Sequence, residues 1–97
     1  MDPKRFEPFF SPSAQRDLEK LETGEAVQII KDIKKYLEIN PFPLRRTRIK
    51  KLTGFKPPLY RLRSGDFRAY YRILGRQVVV LVITHKKDSE KLLKKFR

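Results

Sequence analysis

Cysteine and tryptophan are absent from this 97-residue chain, and histidine occurs once. The absence of cysteine excludes disulfides and thiolate metal sites, and a single histidine argues against a structural zinc ion. The longest apolar run, Val78 to Ile83, is far shorter than the roughly 20 residues of a membrane helix. The opening MDPKRFEPFF lacks the long apolar segment of a signal peptide. We therefore expect a cytoplasmic protein with no cofactor, no metal and no membrane association.

Acidic residues are also scarce, and they are concentrated in one part of the chain. Lys and Arg number 24 against 11 Asp and Glu, a net charge of +13. Residues 1–40 hold seven basic and eight acidic residues, whereas residues 41–97 hold seventeen and three. A merely solvated surface would not segregate charge in this way, so the pattern favours a polyanionic partner. Nucleic acid is favoured over a membrane, because the basic half is typical of strands rather than of an amphipathic helix.

The amino-terminal part predicts a short strand followed by a helix, within a single domain spanning residues 1–97. The strand covers residues 5–10, and Pro8 implies an edge position or an early end of the strand, because proline donates no hydrogen bond to a neighbouring strand. Ser11 is a natural N-cap for a first helix over Pro12–Glu22.

A second helix is predicted from near Glu25 to Asn40-Pro41, where proline ends it. Its apolar residues recur at helical spacing and predict one buried stripe, formed by Val27, Ile30, Ile33 and Leu37. Residues 41–58 read as a proline-containing basic loop, either a solvated linker or a segment that follows a phosphate backbone. Its basic residues are Arg45, Arg46, Arg48, Lys50, Lys51 and Lys56.

Three strands follow, predicted over residues 59–63, 67–73 and 78–84, with tight turns between them. Residues along a strand point alternately to opposite faces. Tyr60, Leu62, Phe67 and Tyr71 should therefore face the helices, and the last strand, apolar on both faces, should be interior. The residues from Lys86 onward could form a short helix that frays or needs a partner.

The same alternation places a basic set on the face away from the helices: Arg61, Arg63, Arg68, Tyr70 and Arg72. Like charges on adjacent strands repel, and one nearby acid, Asp66, cannot pair with all of them. Arginine forks match phosphate oxygens, and a tyrosine among them offers a surface for base stacking. This face is thus predicted to bind RNA, together with Lys50 and Lys51 before it and Lys86 after it.

The lone histidine, His85, follows the last strand beside Lys86 and Lys87. Most isolated histidines are structural, but imidazole is the side chain whose unperturbed pKa suits proton transfer near neutral pH. We count it as a candidate catalytic residue.

Several segments resemble, in order and spacing, the RelE/ParE superfamily of toxins from bacterial and archaeal toxin–antitoxin pairs. They are FSPSAQRDLEKL, INP, KKLTG, LYRLRSGDFRAYYRI and VVVLVITHKKD, and they cover roughly residues 6–91. The RelE branch fits better than the ParE branch. The resemblance implies an α+β fold, with a helical hairpin packed on a curved, mainly antiparallel four-stranded sheet, in the order β-α-α-β-β-β with a short C-terminal helix.

RelE-like toxins cleave messenger RNA, typically in the ribosomal A site, without metal. By this resemblance Arg68 and Lys87 would stabilise the phosphate in the transition state. Arg61 and Arg63 would bind the phosphate, with Arg61 nearest the attacking 2′-OH. The resemblance also implies a small acidic RelB-like antitoxin that wraps the chain, covers the arginines and forms a hetero-oligomer with it.

Two departures from the family pattern keep alternatives open. The prototype has lysines at the first two arginine positions, and arginine is a poor general base. The family often has a tyrosine shortly after the last strand, whereas no tyrosine follows Tyr71 here. His85, Glu90 or Tyr70 are the candidates to replace it. A ParE-like inhibitor of DNA gyrase, and a catalytically weak module that binds RNA or an antitoxin, remain alternatives.

Overall fold

Five strands form one sheet, with two helices on one face and a short helical tail on the other. The computed structural model describes residues 5–43 and 48–96. The elements are β1 (Glu7–Phe10), α1 (Pro12–Glu19), α2 (Thr23–Leu37), β2 (Ile49–Lys51), β3 (Tyr60–Ser64), β4 (Phe67–Leu74), β5 (Gln77–His85) and α3 (Ser89–Leu93). Short 3-10 turns, Lys86–Asp88 and Lys94–Phe96, flank α3. The predicted α+β class is confirmed.

The strand order is β1-β5-β4-β3-β2. Strand β1 runs parallel to β5, and the other pairs are antiparallel. The edge position predicted from Pro8 and the interior position of β5 are confirmed. The prediction of four strands is wrong by one, because β2 was assigned to the basic loop. Its three residues, two of them exposed lysines, show no apolar alternation and are ordered by pairing with β3.

Glycine makes both hairpin turns of the sheet tight. Gly65 and Gly75 have φ of +57° and +62°, a left-handed conformation that glycine adopts at little cost. Each is the first residue of a two-residue loop, so β3 leads directly into β4 and β4 into β5.

The helices differ from prediction in extent and in one buried position. Helix α1 is capped by Ser11, whose hydroxyl accepts a hydrogen bond from the Ala14 amide, but it ends at Glu19 rather than Glu22. Helix α2 already begins at Thr23. Its buried stripe consists of Ile29, Ile33 and Leu37, while Val27, predicted to be buried, is 43% exposed. Ile33 and Leu37 lie in the buried stripe as predicted, whereas Ile29 takes the place of Val27, so the stripe follows residues four apart.

The main core lies between the helices and the sheet. The strand residues predicted to face the helices, Tyr60, Leu62, Phe67 and Tyr71, all contribute to it. Tyr71 is fully buried, and its hydroxyl donates a 2.6 Å hydrogen bond to the carbonyl of Pro41. Burial, followed by the neighbouring Tyr60, raises the pKa of Tyr71, so this hydroxyl stays protonated.

A β-bulge interrupts the pairing of β4 with β5. Tyr70 pairs with Val82 but Tyr71 pairs with Val80, which leaves Leu81 as an extra residue in β5. Two side chains of α1 and its N-cap form hydrogen bonds with the backbone at the bulge. The Ser11 hydroxyl donates to the Leu81 carbonyl at 2.8 Å, and the amide of residue 83 donates to an Asp17 carboxylate oxygen at 2.9 Å. Beyond the bulge the alternation of faces in β5 is reversed.

Within the described ranges, no helix has the length and apolar character needed to cross a bilayer.

Candidate nucleic-acid interface

Three arginines form a cluster on the sheet face opposite α1 and α2, and we call Arg61, Arg63 and Arg68 the arginine row. Arg63 and Arg68 are cross-strand partners, and Arg61 pairs with Tyr70 at the next position of the same face. Directly opposed side chains in such a pair lie about 5 Å apart and diagonal neighbours about 7–8 Å apart. The structure therefore brings together three of the four strand arginines predicted for this face, the three to which the family resemblance assigned a role at the phosphate.

No carboxylate of the described residues forms an ion pair with the arginine row. The Nε atom of Arg61 is buried and has no hydrogen-bond partner among residues 5–43 and 48–96. The pKa of Arg61 is lowered, first by desolvation and then by the positive charges of Arg68 and Arg63. A bound anion would relieve both effects, because it would accept the unused hydrogen bonds and offset the repulsion.

Hydrogen bonds to backbone carbonyls hold the guanidinium of Arg68, and hydrogen bonds with Arg48 hold the backbone of Arg63. Arg68 donates from Nη1 to the carbonyls of Gly65 and Phe67 at 3.0 and 2.9 Å. The Arg63 amide donates to the carbonyl of Arg48 at 2.8 Å, and Arg48 Nη1 donates back to the Arg63 carbonyl at 3.1 Å.

Arg48 also stacks on the ring of Tyr36 in α2, with its guanidinium carbon 4.8 Å from the ring centroid. It thus ties the backbone of the arginine row to the helical layer. Sequence reasoning missed this role because Arg48 lies in the predicted loop, one residue before the unpredicted β2. The one signal in the sequence was that Arg48 belongs to a run of basic residues.

The acid nearest to the row is engaged elsewhere. The carboxylate of Asp66 pairs with Lys86 Nζ at 3.3 Å, and its carbonyl accepts the Lys86 amide at 2.8 Å. Lys86, predicted to bind RNA, therefore anchors the turn after β5 to the β3–β4 hairpin. Lys87 follows it, is exposed, and lies at the same end of the sheet as Arg63 and Arg68.

The prediction that Tyr70 is exposed for base stacking is wrong. Tyr70 is only 1% exposed, although strand alternation places it on the predicted face. It forms a second cluster with Phe55 and Leu59, against which the tail packs through three apolar residues, Leu92, Leu93 and Phe96. The tail, expected to fray or to need a partner, thus finds its apolar contacts on the sheet.

His85 does not join the arginine row. It pairs with Phe67, and the two rings meet edge-on at 5.4 Å between centroids. Phe67 packs against the main core, so His85 lies on the helix side of the sheet. Its Nδ1 accepts a hydrogen bond from the Lys87 amide at 3.1 Å, so the ring caps the 3-10 turn Lys86–Asp88. Because the bulge reverses the alternation of faces in β5, the position of His85 at the end of the strand did not show which face it lies on.

The remaining predicted RNA-binding residues lie at three different places on the sheet. Lys50 pairs with Arg61 and is exposed, so it extends the arginine row across β2. Lys51 is exposed but pairs with Tyr60, at a helix-side position of the edge strand. Arg72 pairs with Val79, beyond the covered Tyr70, and its buried Nε lacks a partner within the described part of the chain. Arg45 and Arg46 lie outside the described residues.

In the described ranges, no group of three or more His, Cys, Asp or Glu side chains is arranged to hold a metal ion.

Comparison with known proteins identifies the family of this chain. The family model for the ParE toxin of type II toxin–antitoxin systems, parDE, matches residues 9–90. No curated protein gives a significant match.

Several solved structures share the fold. The toxin–antitoxin complex RelBE2 from Mycobacterium tuberculosis is 24% identical, with a TM-score of 0.73 over 87% of this chain and 94% of that chain. The archaeal RelE–RelB complex from Pyrococcus horikoshii OT3 is 21% identical, with a TM-score of 0.69 over 84% and 96%. The RelB–RelE antitoxin–toxin complex from Methanococcus jannaschii is 21% identical, with a TM-score of 0.67 over 87% and 96%.

Proposed function

The chain belongs to the ParE toxin family of type II toxin–antitoxin systems, within the RelE/ParE superfamily, and we propose that this toxin cleaves messenger RNA in the ribosomal A site. The arginine row is the observation that supports a nuclease: three guanidinium groups on one face, with Arg61 partly desolvated and lacking a partner for Nε in the described residues. Such an arrangement costs the fold stability and suits a phosphate in a strained, highly charged state.

The proposed reaction is the metal-independent transfer that RNA can undergo by itself. The 2′-oxygen forms a bond to the adjacent phosphorus, and the bond from phosphorus to the 5′-oxygen breaks. The 2′-hydroxyl loses its proton and the departing 5′-oxygen gains one. Arg61 and Arg63 would bind the phosphate, and Arg68 and Lys87 would stabilise the charge that develops on its oxygens.

The chain supplies charge stabilisation more clearly than proton transfer. Tyr70 is covered and His85 lies on the helix side of the sheet, so neither is placed beside the arginine row. We therefore assign the row the main catalytic role. Removing one such preorganised donor costs roughly 10²–10³-fold in kcat in enzymes that stabilise an oxyanion.

The proposed partners follow from the same charge. An acidic RelB-like antitoxin would neutralise the toxin by covering the arginine row in a toxin–antitoxin hetero-oligomer, and messenger RNA on the ribosome would be the target. The structurally similar RelE chains come from complexes with RelB. Under this proposal the toxin acts in the cytoplasm, where its target is found.

Controlled expression of the chain alone tests the nuclease. Growth should stop, and primer extension should show new 5′ ends within coding sequences. Arg68→Ala should abolish both effects, whereas Arg16→Ala, an exposed arginine on α1, should preserve them. Circular dichroism of both variants checks that they fold. Growth arrest that survives Arg68→Ala, or arrest without new transcript ends, would contradict the proposal.

Inhibition of DNA gyrase is the second candidate, because the family model that matches is that of ParE toxins. It predicts DNA-damage signalling with intact transcripts, and loss of supercoiling by purified gyrase on addition of the toxin. A third candidate, a module that only binds RNA or an antitoxin, predicts salt-dependent RNA binding without cleavage in the presence or absence of ribosomes.

A further inference from the structure

The loop between β2 and β3 borders an open, shallow cavity that the arginine row does not use. Its volume is about 430 Å³, within the roughly 300–1,000 Å³ of pockets that take small molecules. The lining consists of Lys51, Leu52, Thr53, Gly54, Phe55, Lys56 and Pro58. All of these residues come from one continuous segment, so the loop itself determines the shape of the cavity.

The cavity adjoins the arginine row. Lys50, just before the lining segment, pairs with Arg61. On the other side, Phe55 packs in the cluster that contains Tyr70, and Tyr70 is the cross-strand partner of Arg61. A strand of RNA whose phosphate lies at Arg61 would therefore place a neighbouring nucleotide at the loop.

The lining combines positive charge with an apolar wall. Lys56 is exposed, as is Lys51 at its helix-side position on the edge strand, and none of the lining residues is acidic. Leu52 and Pro58 provide apolar surface beside the largely buried ring of Phe55. Gly54 has a φ of +86°, and a Cβ added there would meet nothing within 4 Å. The space beside the loop backbone is thus open to a ligand. A cation for a phosphate and an apolar surface for a base are the features that bind single-stranded RNA.

We propose that the β2–β3 loop is a second nucleotide subsite, which binds the base and phosphate next to the cleaved bond in single-stranded RNA. The inference rests on the proposed function, because it takes the arginine row as the site of the scissile phosphate. An acidic peptide would also suit the lysines. RNA is favoured because the cavity has apolar lining for a base and continues directly from Arg61.

Short RNAs of different length separate the subsite from the arginine row. The probes are a dinucleotide, with one internucleotide phosphate, and a tetranucleotide, both 2′-O-methylated so that they cannot be cleaved. In titrations followed by NMR, Lys51→Gln combined with Lys56→Gln should weaken tetranucleotide binding by about fivefold at about 0.1 M salt, because the phosphate in the subsite loses its cations. Dinucleotide binding should not change. The magnitude of the slope of log K against log salt for the tetranucleotide should fall by about 0.7, the value for one lost phosphate contact.

The matched control is Lys31→Gln combined with Lys34→Gln, two exposed lysines of α2, which should bind both probes as the wild type does. Arg61→Ala should weaken both probes. If Arg61→Ala weakens the binding of both probes but the loop variant binds the tetranucleotide as the wild type does, the proposed subsite is contradicted and the nuclease proposal is unaffected. If Arg61→Ala binds both probes normally, the phosphate site fails and the subsite fails with it. Loss of binding to a polyglutamate peptide, with RNA binding unchanged, would identify a protein-docking loop and also overturn the subsite.

Discussion

Replacing Arg61 with methionine should stabilise the protein while removing its activity. Arg61 is half-buried, its Nε lacks a partner within the described ranges, and desolvation and the charges of Arg68 and Arg63 lower its pKa. These contacts oppose folding, and a ligand would offset them. Methionine keeps a long side chain for packing on the sheet but removes the charge.

The expected gain follows from Coulomb's law. Arg61 and Arg68 are diagonal neighbours, about 7–8 Å apart. At that separation two unit charges repel by about 0.5 kcal/mol in water and about 2 kcal/mol at an effective dielectric constant of 20. For a half-buried site we expect a gain of about 1 kcal/mol in the free energy of unfolding. In a domain of this size that raises Tm by about 4–8 °C.

The gain should be independent of pH across the range in which the protein is handled. Because the pKa of Arg61 is lower in the folded protein than in the unfolded chain, the unfolded chain binds more protons only at pH values between the two pKa values. Stability therefore rises with pH in that alkaline window alone. At lower pH the arginine is charged in both states, and the full destabilisation is present.

Thermal unfolding at two ionic strengths provides the assay. At about 0.01 M salt, where the Debye length is about 30 Å, Arg61→Met should raise Tm, and at about 1 M, where it is about 3 Å, much of the gain should disappear. Lys31→Met removes one charge from an exposed position of α2 and controls for the net charge of +13. A lower Tm for Arg61→Met at low salt, or a gain no larger than that of Lys31→Met, would refute the reasoning.

Three further substitutions test the packing that supports the arginine row. Tyr71→Phe leaves the buried carbonyl of Pro41 without its hydrogen bond and should cost about 1–3 kcal/mol in urea unfolding. Ser11→Ala removes the α1 cap and the bond to the Leu81 carbonyl, and the same assay should show a loss of about 0.5–2 kcal/mol. Leu93→Ala loosens a half-buried tail contact, costs less than the roughly 2–5 kcal/mol of a core leucine, and should speed amide exchange across residues 89–96.

Matched controls accompany each of these substitutions. Tyr36→Phe should change stability little, because Tyr36 contributes its ring face to Arg48. Ser13→Ala alters a serine inside α1 rather than its cap, and Leu74→Ala truncates a leucine that is 55% exposed. Equal losses for a substitution and its control would contradict the assigned contact. Unchanged exchange of the tail in Leu93→Ala would show that this residue does not hold it.

Strand alternation was sufficient to predict the arginine row, because β3 and the first part of β4 are regular. Once Arg61 and Leu62 point to opposite faces, the aliphatic residue selects the core side and the arginine takes the other. The same rule placed Tyr70 correctly on the arginine face but could not show that it is covered. That depends on Leu92, Leu93 and Phe96 folding back over the sheet, a long-range contact for which a short apolar tail gives no local signal.

The bulge shows why His85 could not be placed from the sequence. Without the extra residue at Leu81, regular alternation from Val78 and Val80 would put residue 85 on the arginine face, the one predicted to bind RNA. The bulge shifts β5 by one position, so Ile83 rather than Val82 enters the main core and His85 follows Ile83 to the helix side. Nothing in the run VVVLVITH marks the irregular position, since every residue from Val78 to Ile83 is apolar. The hydrogen bonds that hold the bulge come from Ser11 and Asp17, which are distant from β5 in the sequence. A single inserted residue, held by α1, thus separates the histidine from the arginines and leaves the interface with its cations but without an imidazole.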